Sequence, residues 1–215
     1  MKNPYIDVVF GMPKNFFNKE VNETFIKTIM ENVLEKGEWV LGNPNNFEPD
    51  YFYNNNPFEF TIASDTKRKN NFVQRFKTGK YTSEDAEKDL IEYILKRVEE
   101  KSKKEYSTTG VHLCILCLIE SFLWVSDKYG SFTHCLSDIH RKKLFETLRK
   151  MYIETERFKN IFIIFPDLTA TWWVWDVLTG KRASWSLDEM SITDVKYPFY
   201  IERSEYDKIK SKNKT

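Results

Sequence analysis

Residues 49–63, which read PDYFYNNNPFEFTIA, are the most informative about the fold. Two runs rich in aromatic and β-branched residues flank three consecutive asparagines. Asparagine tolerates the positive φ that tight turns require, so the stretch predicts a β-hairpin that turns at Asn54-Asn55. With this two-residue turn Tyr53 pairs with Asn56, and counting back along the arms places Asp50 directly opposite Glu59.

Alternation along the second arm separates two kinds of side chain. The apolar set, which fits a core, is Phe58, Phe60 and Ile62. The set on the opposite face is Glu59, Thr61 and Ala63. Directly opposed Cβ atoms of a hairpin lie about 4.5–5.5 Å apart and like charges there repel, so the Asp50–Glu59 pair needs a compensating charge.

A divalent cation with oxygen ligands, Mg²⁺ or Mn²⁺, supplies that compensation. Asp50 and Glu59 are therefore the predicted metal ligands, at a site able to activate water and stabilise charge on a phosphodiester. In the alternative interpretation, Asp50 merely starts a strand and Glu59 is solvated on an open sheet face. If the pair binds metal, Glu59→Gln is expected to change stability little or to raise it, because a repulsion is relieved.

The flanking sequence predicts helices and strands around this hairpin. Helical apolar periodicity covers about 21–36, 82–103 and 141–156, and strand-like runs cover 38–41, 111–119, 160–165 and 171–177. The run at 111–119 is nearly continuously apolar, which indicates a strand covered on both faces. The order helix, three strands, helix, strand, helix, two strands predicts one α/β domain over residues 1–215, a mixed β-sheet with flanking helices.

The hairpin and its neighbours resemble the PD-(D/E)XK, or restriction-endonuclease-like, nucleases. Members of that family carry Pro-Asp on one arm and Asp/Glu-x-Lys on the other, with a helix before and a helix and strand after. Here Pro49-Asp50, an eight-residue gap and Glu59-Phe60-Thr61 follow that order. The resemblance covers about residues 21–119. It implies an αβββαβ core at about 20–120, helix and strand additions at about 121–203, and a Lys-rich tail at about 204–215 that we expect to be mobile.

The resemblance also implies a function, a metal-dependent endonuclease that hydrolyses phosphodiester bonds in DNA in preference to RNA. Besides Asp50 and Glu59, it implies a carboxylate from the first helix, for which Glu23 is the candidate and Glu20 the reserve. Thr61 occupies the position of the family's lysine. Lys67, or Lys69 beside it, lies just beyond the strand and is the expected replacement.

The segment 66–80 is basic, contains no acidic residue and has Phe72, Val73 and Phe76 interleaved. Side chains of this kind contact backbone phosphates. The predicted nucleic-acid-binding residues are Lys67, Arg68, Lys69, Arg75 and Lys77. The alternative is a solvated charge run on a short amphipathic helix.

Composition narrows the class of protein. The net charge of the 215 residues is +1, which argues against a general polyanion-binding protein. Three cysteines do not suggest a disulfide framework. No leader or membrane span is recognised, so we expect a cytoplasmic protein with no membrane partner. Besides an active nuclease, two hypotheses stay open: an inactive nuclease-fold protein, and an unrelated interaction or inhibitor protein of a mobile element. Either could act on nucleic acid, on a partner protein or as a homodimer.

Overall fold

A computed structural model describes residues 19–63, 83–117, 136–166 and 171–186 of the chain. Its helices are α1 (Lys19–Val33), α2 (Ser83–Ser102) and α3 (Asp138–Leu148), the last continuing into a π-helical turn at Arg149–Ile153. Its strands are β1 (Trp39–Leu41), β2 (Tyr51–Tyr53), β3 (Asn56–Ala63), β4 (His112–Cys117), β5 (Asn160–Pro166), β6 (Thr171–Asp176) and β7 (Arg182–Ser186).

Across the described ranges, these strands form one mixed sheet in the sequential order β1 to β7. The central strands β3, β4 and β5 are parallel, whereas β1–β2–β3 and β5–β6–β7 are antiparallel. Parallel neighbours need a crossover connection, and α2 and α3 lie in the two crossovers. Both crossovers connect a strand to the next one along the sheet, from β3 to β4 and from β4 to β5. Because such crossovers are right-handed, both helices lie on the same face of the sheet. The predicted class, a mixed α/β sheet with flanking helices, is confirmed.

Apolar side chains cover both faces of the sheet. On one face, Leu113 and Ile115 of β4 pack under α2 and α3, while Cys114 and Leu116 point to the other face, which α1 covers. All four side chains are fully buried. The continuous apolar run of β4 follows from this position, because a strand between two helical layers has no solvent-facing side.

The hairpin forms as predicted. Asn54 and Asn55 both adopt positive φ, 46° and 65°. Tyr53 pairs with Asn56 and Tyr51 with Phe58. Alternation along β3 is confirmed as well, since Phe58 and Phe60 belong to the core under α1 and Ala63 belongs to the core under α2.

Two helix boundaries and one strand differ from the sequence prediction. Helix α1 ends at Val33 rather than 36, because the ring of Tyr53 occupies the space beside Gly37 and its hydroxyl donates to the Glu35 carbonyl. Helix α3 begins at Asp138 rather than 141, since Ser137 accepts a hydrogen bond from the main-chain N–H of His140 and caps it. Strand β7 was not predicted; it follows the turn at 178–181 and buries Trp185.

The structure leaves some predictions aside. The basic segment at 66–80, with its five nucleic-acid-binding candidates, and the Lys-rich tail lie outside the described residues. The specific restriction-endonuclease-like core stays a prediction beyond the confirmed α/β class. No helix in the described ranges has the length and apolar character needed to cross a bilayer.

Candidate functional site

Asp50 lies immediately before β2, and main-chain contacts fix it on two sides. Its Oδ2 accepts a hydrogen bond from the Phe60 N–H at 2.8 Å, and its carbonyl accepts one from the Gly42 N–H at 3.0 Å. A Cβ on Gly42 would lie 1.9 Å from the Pro49 carbonyl oxygen, so only glycine fits there. These two hydrogen bonds orient the Asp50 carboxylate, and its other oxygen, Oδ1, faces Lys19 of α1.

Two residues of the first turns of α1 meet Asp50. The Lys19 Nζ lies 3.4 Å from Asp50 Oδ1 and 3.1 Å from Glu23 Oε1, so a single ammonium stands between two carboxylates. Lys19 is largely exposed, with 70% of its side chain accessible, whereas Asp50 and Glu23 retain 6% and 14%. We call this group of Lys19, Glu23 and Asp50 the acidic corner.

The pKa of Glu23 is raised in the acidic corner. Burial, followed by the charge of Asp50 and a hydrogen bond to it, raises the pKa of Glu23 from 4.5 to about 7. Lys19 lowers that pKa only in part. For Lys19 itself, burial lowers the pKa, but the charges of Asp50 and Glu23 outweigh burial and raise it. When both carboxylates are ionised they share one exposed ammonium, and the corner then has a deficit of positive charge.

Glu59 has different surroundings, because it lies under α2 and is fully buried. Lys104 Nζ lies 2.9 Å from each of its carboxylate oxygens, and Lys101 Nζ lies 2.5 Å from Oε1. Both lysines come from the C-terminal end of α2 and the residues just after it. We call Glu59, Lys101 and Lys104 the lysine cluster.

The structure therefore gives Asp50 and Glu59 separate partners. The register places them opposite each other, but the β2–β3 pairing ends one step earlier, at Tyr51 and Phe58. The repulsion expected between the two acids is met by lysines, one at Asp50 and two at Glu59. Sharing of one ion by Asp50 and Glu59 stays a prediction. The alternative of a solvated Glu59 on an open face is wrong, since α2 covers it.

Sequence reasoning missed the three lysines that neutralise these acids. Thr61 stands half-buried at the position where the resemblance implies a lysine. The ammonium groups that reach Glu59 come instead from Lys101 and Lys104, 42 and 45 positions later in the chain. Lys101 lies in the last turn of α2 and Lys104 just beyond its end, and no local signal in the sequence paired either of them with Glu59.

Of the remaining candidates, Glu23 lies beside Asp50 as expected, whereas Glu20 is exposed on α1. Lys67 and the other candidates of the basic segment lie outside the described residues.

The acidic corner offers oxygen ligands to a divalent cation. In the described part of the chain, no group of three or more His, Cys, Asp or Glu side chains is arranged to hold a metal ion. The corner provides two carboxylates, and the Lys19 ammonium shows that a cation is accommodated between them. Hard carboxylate oxygens suit Mg²⁺ and Mn²⁺, so Asp50 and Glu23 are the residues that would hold such an ion.

Comparisons with protein-family models, with curated proteins and with solved structures find no match for this chain.

Proposed function

We propose that the chain is a metal-dependent endonuclease that hydrolyses phosphodiester bonds in DNA in preference to RNA, with Mg²⁺ or Mn²⁺ held at the acidic corner. The observation that carries the proposal is the single Lys19 ammonium between the carboxylates of Asp50 and Glu23. The order of elements around the Pro49-Asp50 hairpin, which resembles the PD-(D/E)XK nucleases, supports the choice of reaction.

Three acidic residues have distinct roles in this proposal. Asp50 is the oriented ligand, because the Phe60 N–H fixes one of its oxygens. Glu23 is the second ligand and exchanges a proton near neutral pH. Glu59 lies beneath α2 with its charge balanced by two lysines, so it is not a ligand of the ion in this proposal. A divalent cation bound there lowers the pKa of water and neutralises charge on a phosphodiester.

Calorimetric titration with Mn²⁺ tests the metal site without relying on activity. The wild type should bind, and binding should release up to one proton at pH 6.5 and less at pH 8.5, since Glu23 is already ionised at the higher pH. Asp50→Asn and Glu23→Gln should each weaken binding at least tenfold. Glu31→Gln is the matched control, because Lys27 and Glu31 repeat the Lys–Glu spacing on α1 with a 2.6 Å ion pair.

Plasmid nicking then tests the reaction. Wild type with Mn²⁺ should nick supercoiled DNA, and both corner variants should not. If Asp50→Asn and Glu23→Gln leave Mn²⁺ binding unaffected, the acidic corner is not the metal site. If the wild type binds Mn²⁺ but does not nick DNA, the proposed nuclease activity is wrong.

A second function is favoured by the state of Glu59. Two ammonium groups neutralise this acid, and Thr61 stands where the resemblance implies a lysine. Both features suit an inactive nuclease-fold protein, or an unrelated interaction or inhibitor protein of a mobile element, that acts by binding nucleic acid or a partner protein. Tight duplex binding by a wild type that does not nick with either cation would support this alternative.

A further inference from the structure

The lysine cluster carries more positive charge than its acid requires. Glu59 is one buried carboxylate, and Lys101 and Lys104 both donate to it. One ammonium already balances the charge, and bringing in a second costs desolvation and side-chain entropy. Cations at the C-terminal end of a helix are favourable, which explains why lysines stand there but not why both converge on one carboxylate.

Two further polar groups near the cluster, one on Arg157 and one on Tyr106, have no hydrogen-bond partner among the described residues. Arg157 donates through Nη2 to the Lys104 carbonyl, and its Cζ lies 5.9 Å from the ring centre of Tyr106. The Lys104 Nζ lies 5.0 Å from the same ring centre. Within the described ranges, Arg157 Nε and the Tyr106 hydroxyl are buried without a hydrogen-bond partner.

The Arg157 Nε–H group and the Tyr106 hydroxyl can both donate to a ligand that carries acceptor oxygens. A buried polar group left unpaired is unfavourable because it has lost its hydrogen bonds to water, so a ligand that accepts several hydrogen bonds would be stabilised here. Burial, with the charges of Glu59 and Asp50, raises the pKa of Tyr106, which keeps its hydroxyl protonated as a donor. The surplus charge of the cluster and the guanidinium of Arg157 favour an anion over a neutral acceptor.

We infer that Lys101, Lys104, Tyr106 and Arg157 form a binding site for a phosphate group. A phosphate has several acceptor oxygens, which suits the two ammonium groups, the guanidinium and the phenolic hydroxyl that these side chains can donate from. The phosphate comes either from the free ion or from the backbone of a polynucleotide. The inference goes beyond the proposed function, because it requires neither a metal nor cleavage.

Titration with inorganic phosphate at constant ionic strength tests the site. Wild type should bind in the millimolar range. Lys104→Met should weaken binding at least tenfold, and Tyr106→Phe about threefold. Lys103→Met is the control, because Lys103 is exposed and pairs with Glu99 instead of Glu59. If Lys104→Met fails to fold by circular dichroism, Tyr106→Phe decides, since it removes only an unpaired hydroxyl.

A DNA duplex distinguishes the two sources of phosphate. If phosphate displaces the duplex and Lys104→Met flattens the salt dependence of duplex binding by about one unit of log K per log [salt], the ligand is the polynucleotide backbone. If Lys104→Met weakens only phosphate binding, the ligand is the free ion. The inference is overturned if wild type does not bind phosphate, or if Lys104→Met and Tyr106→Phe bind it as wild type does. Because these experiments use no Mn²⁺, their failure would not contradict the metal site proposed at the acidic corner.

Discussion

The acidic corner and the lysine cluster use the same hairpin and have opposite charge balance. At the corner, Asp50 and Glu23 face one exposed ammonium. At the cluster, Glu59 faces two ammonium groups beneath α2. The corner is short of positive charge and the cluster has an excess, so the first is suited to a cation and the second to an anion. A pair of acids in a strand pattern therefore does not define a site until the helices that cover each acid are known.

The largest expected effect comes from removing the acid of the lysine cluster. Glu59→Gln leaves two ammonium groups without their counter-charge, and breaking a buried ion pair costs about 3–5 kcal/mol. Lys101 and Lys104 are partly exposed, so we expect a loss of about 2–3 kcal/mol in the free energy of unfolding, measured with urea. The expectation of little change that the sequence suggested is thereby reversed, because the charge on Glu59 is paired rather than repelled.

The exposed pair of Arg97 and Glu100 provides the control for that experiment. Glu100→Gln, on the helix α2 that also carries Lys101, removes a 2.5 Å surface ion pair and should change stability by less than about 0.5 kcal/mol. Equal effects of the two substitutions would mean that Glu59 is not held as a buried ion pair, and the contrast between the two regions would lose its basis.

An intermediate effect is expected for pH at the acidic corner. The pKa of Glu23 is raised to about 7 in the folded chain from 4.5, so its protonated form favours folding. This contribution is fully present below pH 4.5 and is lost as the pH rises through 7. After allowance for solvent screening, the free energy of unfolding should fall by about 1 kcal/mol across that window. Glu23→Gln should remove this fall, whereas Glu31→Gln should retain it. A wild-type profile that is flat or rises through this window relative to Glu23→Gln would contradict it.

The smallest change in stability is expected for the lysine of the acidic corner. Lys19 is 70% exposed, so Lys19→Met should change the free energy of unfolding by no more than about 0.5 kcal/mol. The substitution removes the ammonium that competes for the two carboxylates, and Mn²⁺ affinity measured by calorimetry should rise about threefold or more. Weaker Mn²⁺ binding in Lys19→Met would indicate that the ammonium organises the carboxylates rather than occupying the place of a cation.

Much of the fold could be predicted from local patterns. The Asn54-Asn55 turn fixed the register of the hairpin, and the apolar run of β4 indicated a strand covered on both faces. Strand β7 was missed because its exposed residues leave only Trp185 as a core signal. The helix end at Val33 was misplaced because a tertiary contact with Tyr53 at Gly37, rather than the helical pattern, ends α1.

The candidate site divides in the same way. Sequence alone determined which acids stand near the hairpin, since Asp50 and Glu59 follow from register and Glu23 from the preceding helix. Only the tertiary structure decided what neutralises each acid. Lys101 and Lys104 are 42 and 45 positions from Glu59, and they meet it because the β3–α2–β4 crossover lays the end of α2 over β3. Alternation along a strand sets the face on which a side chain lies, but the charge that meets it depends on helix packing, which has no local signature in the sequence.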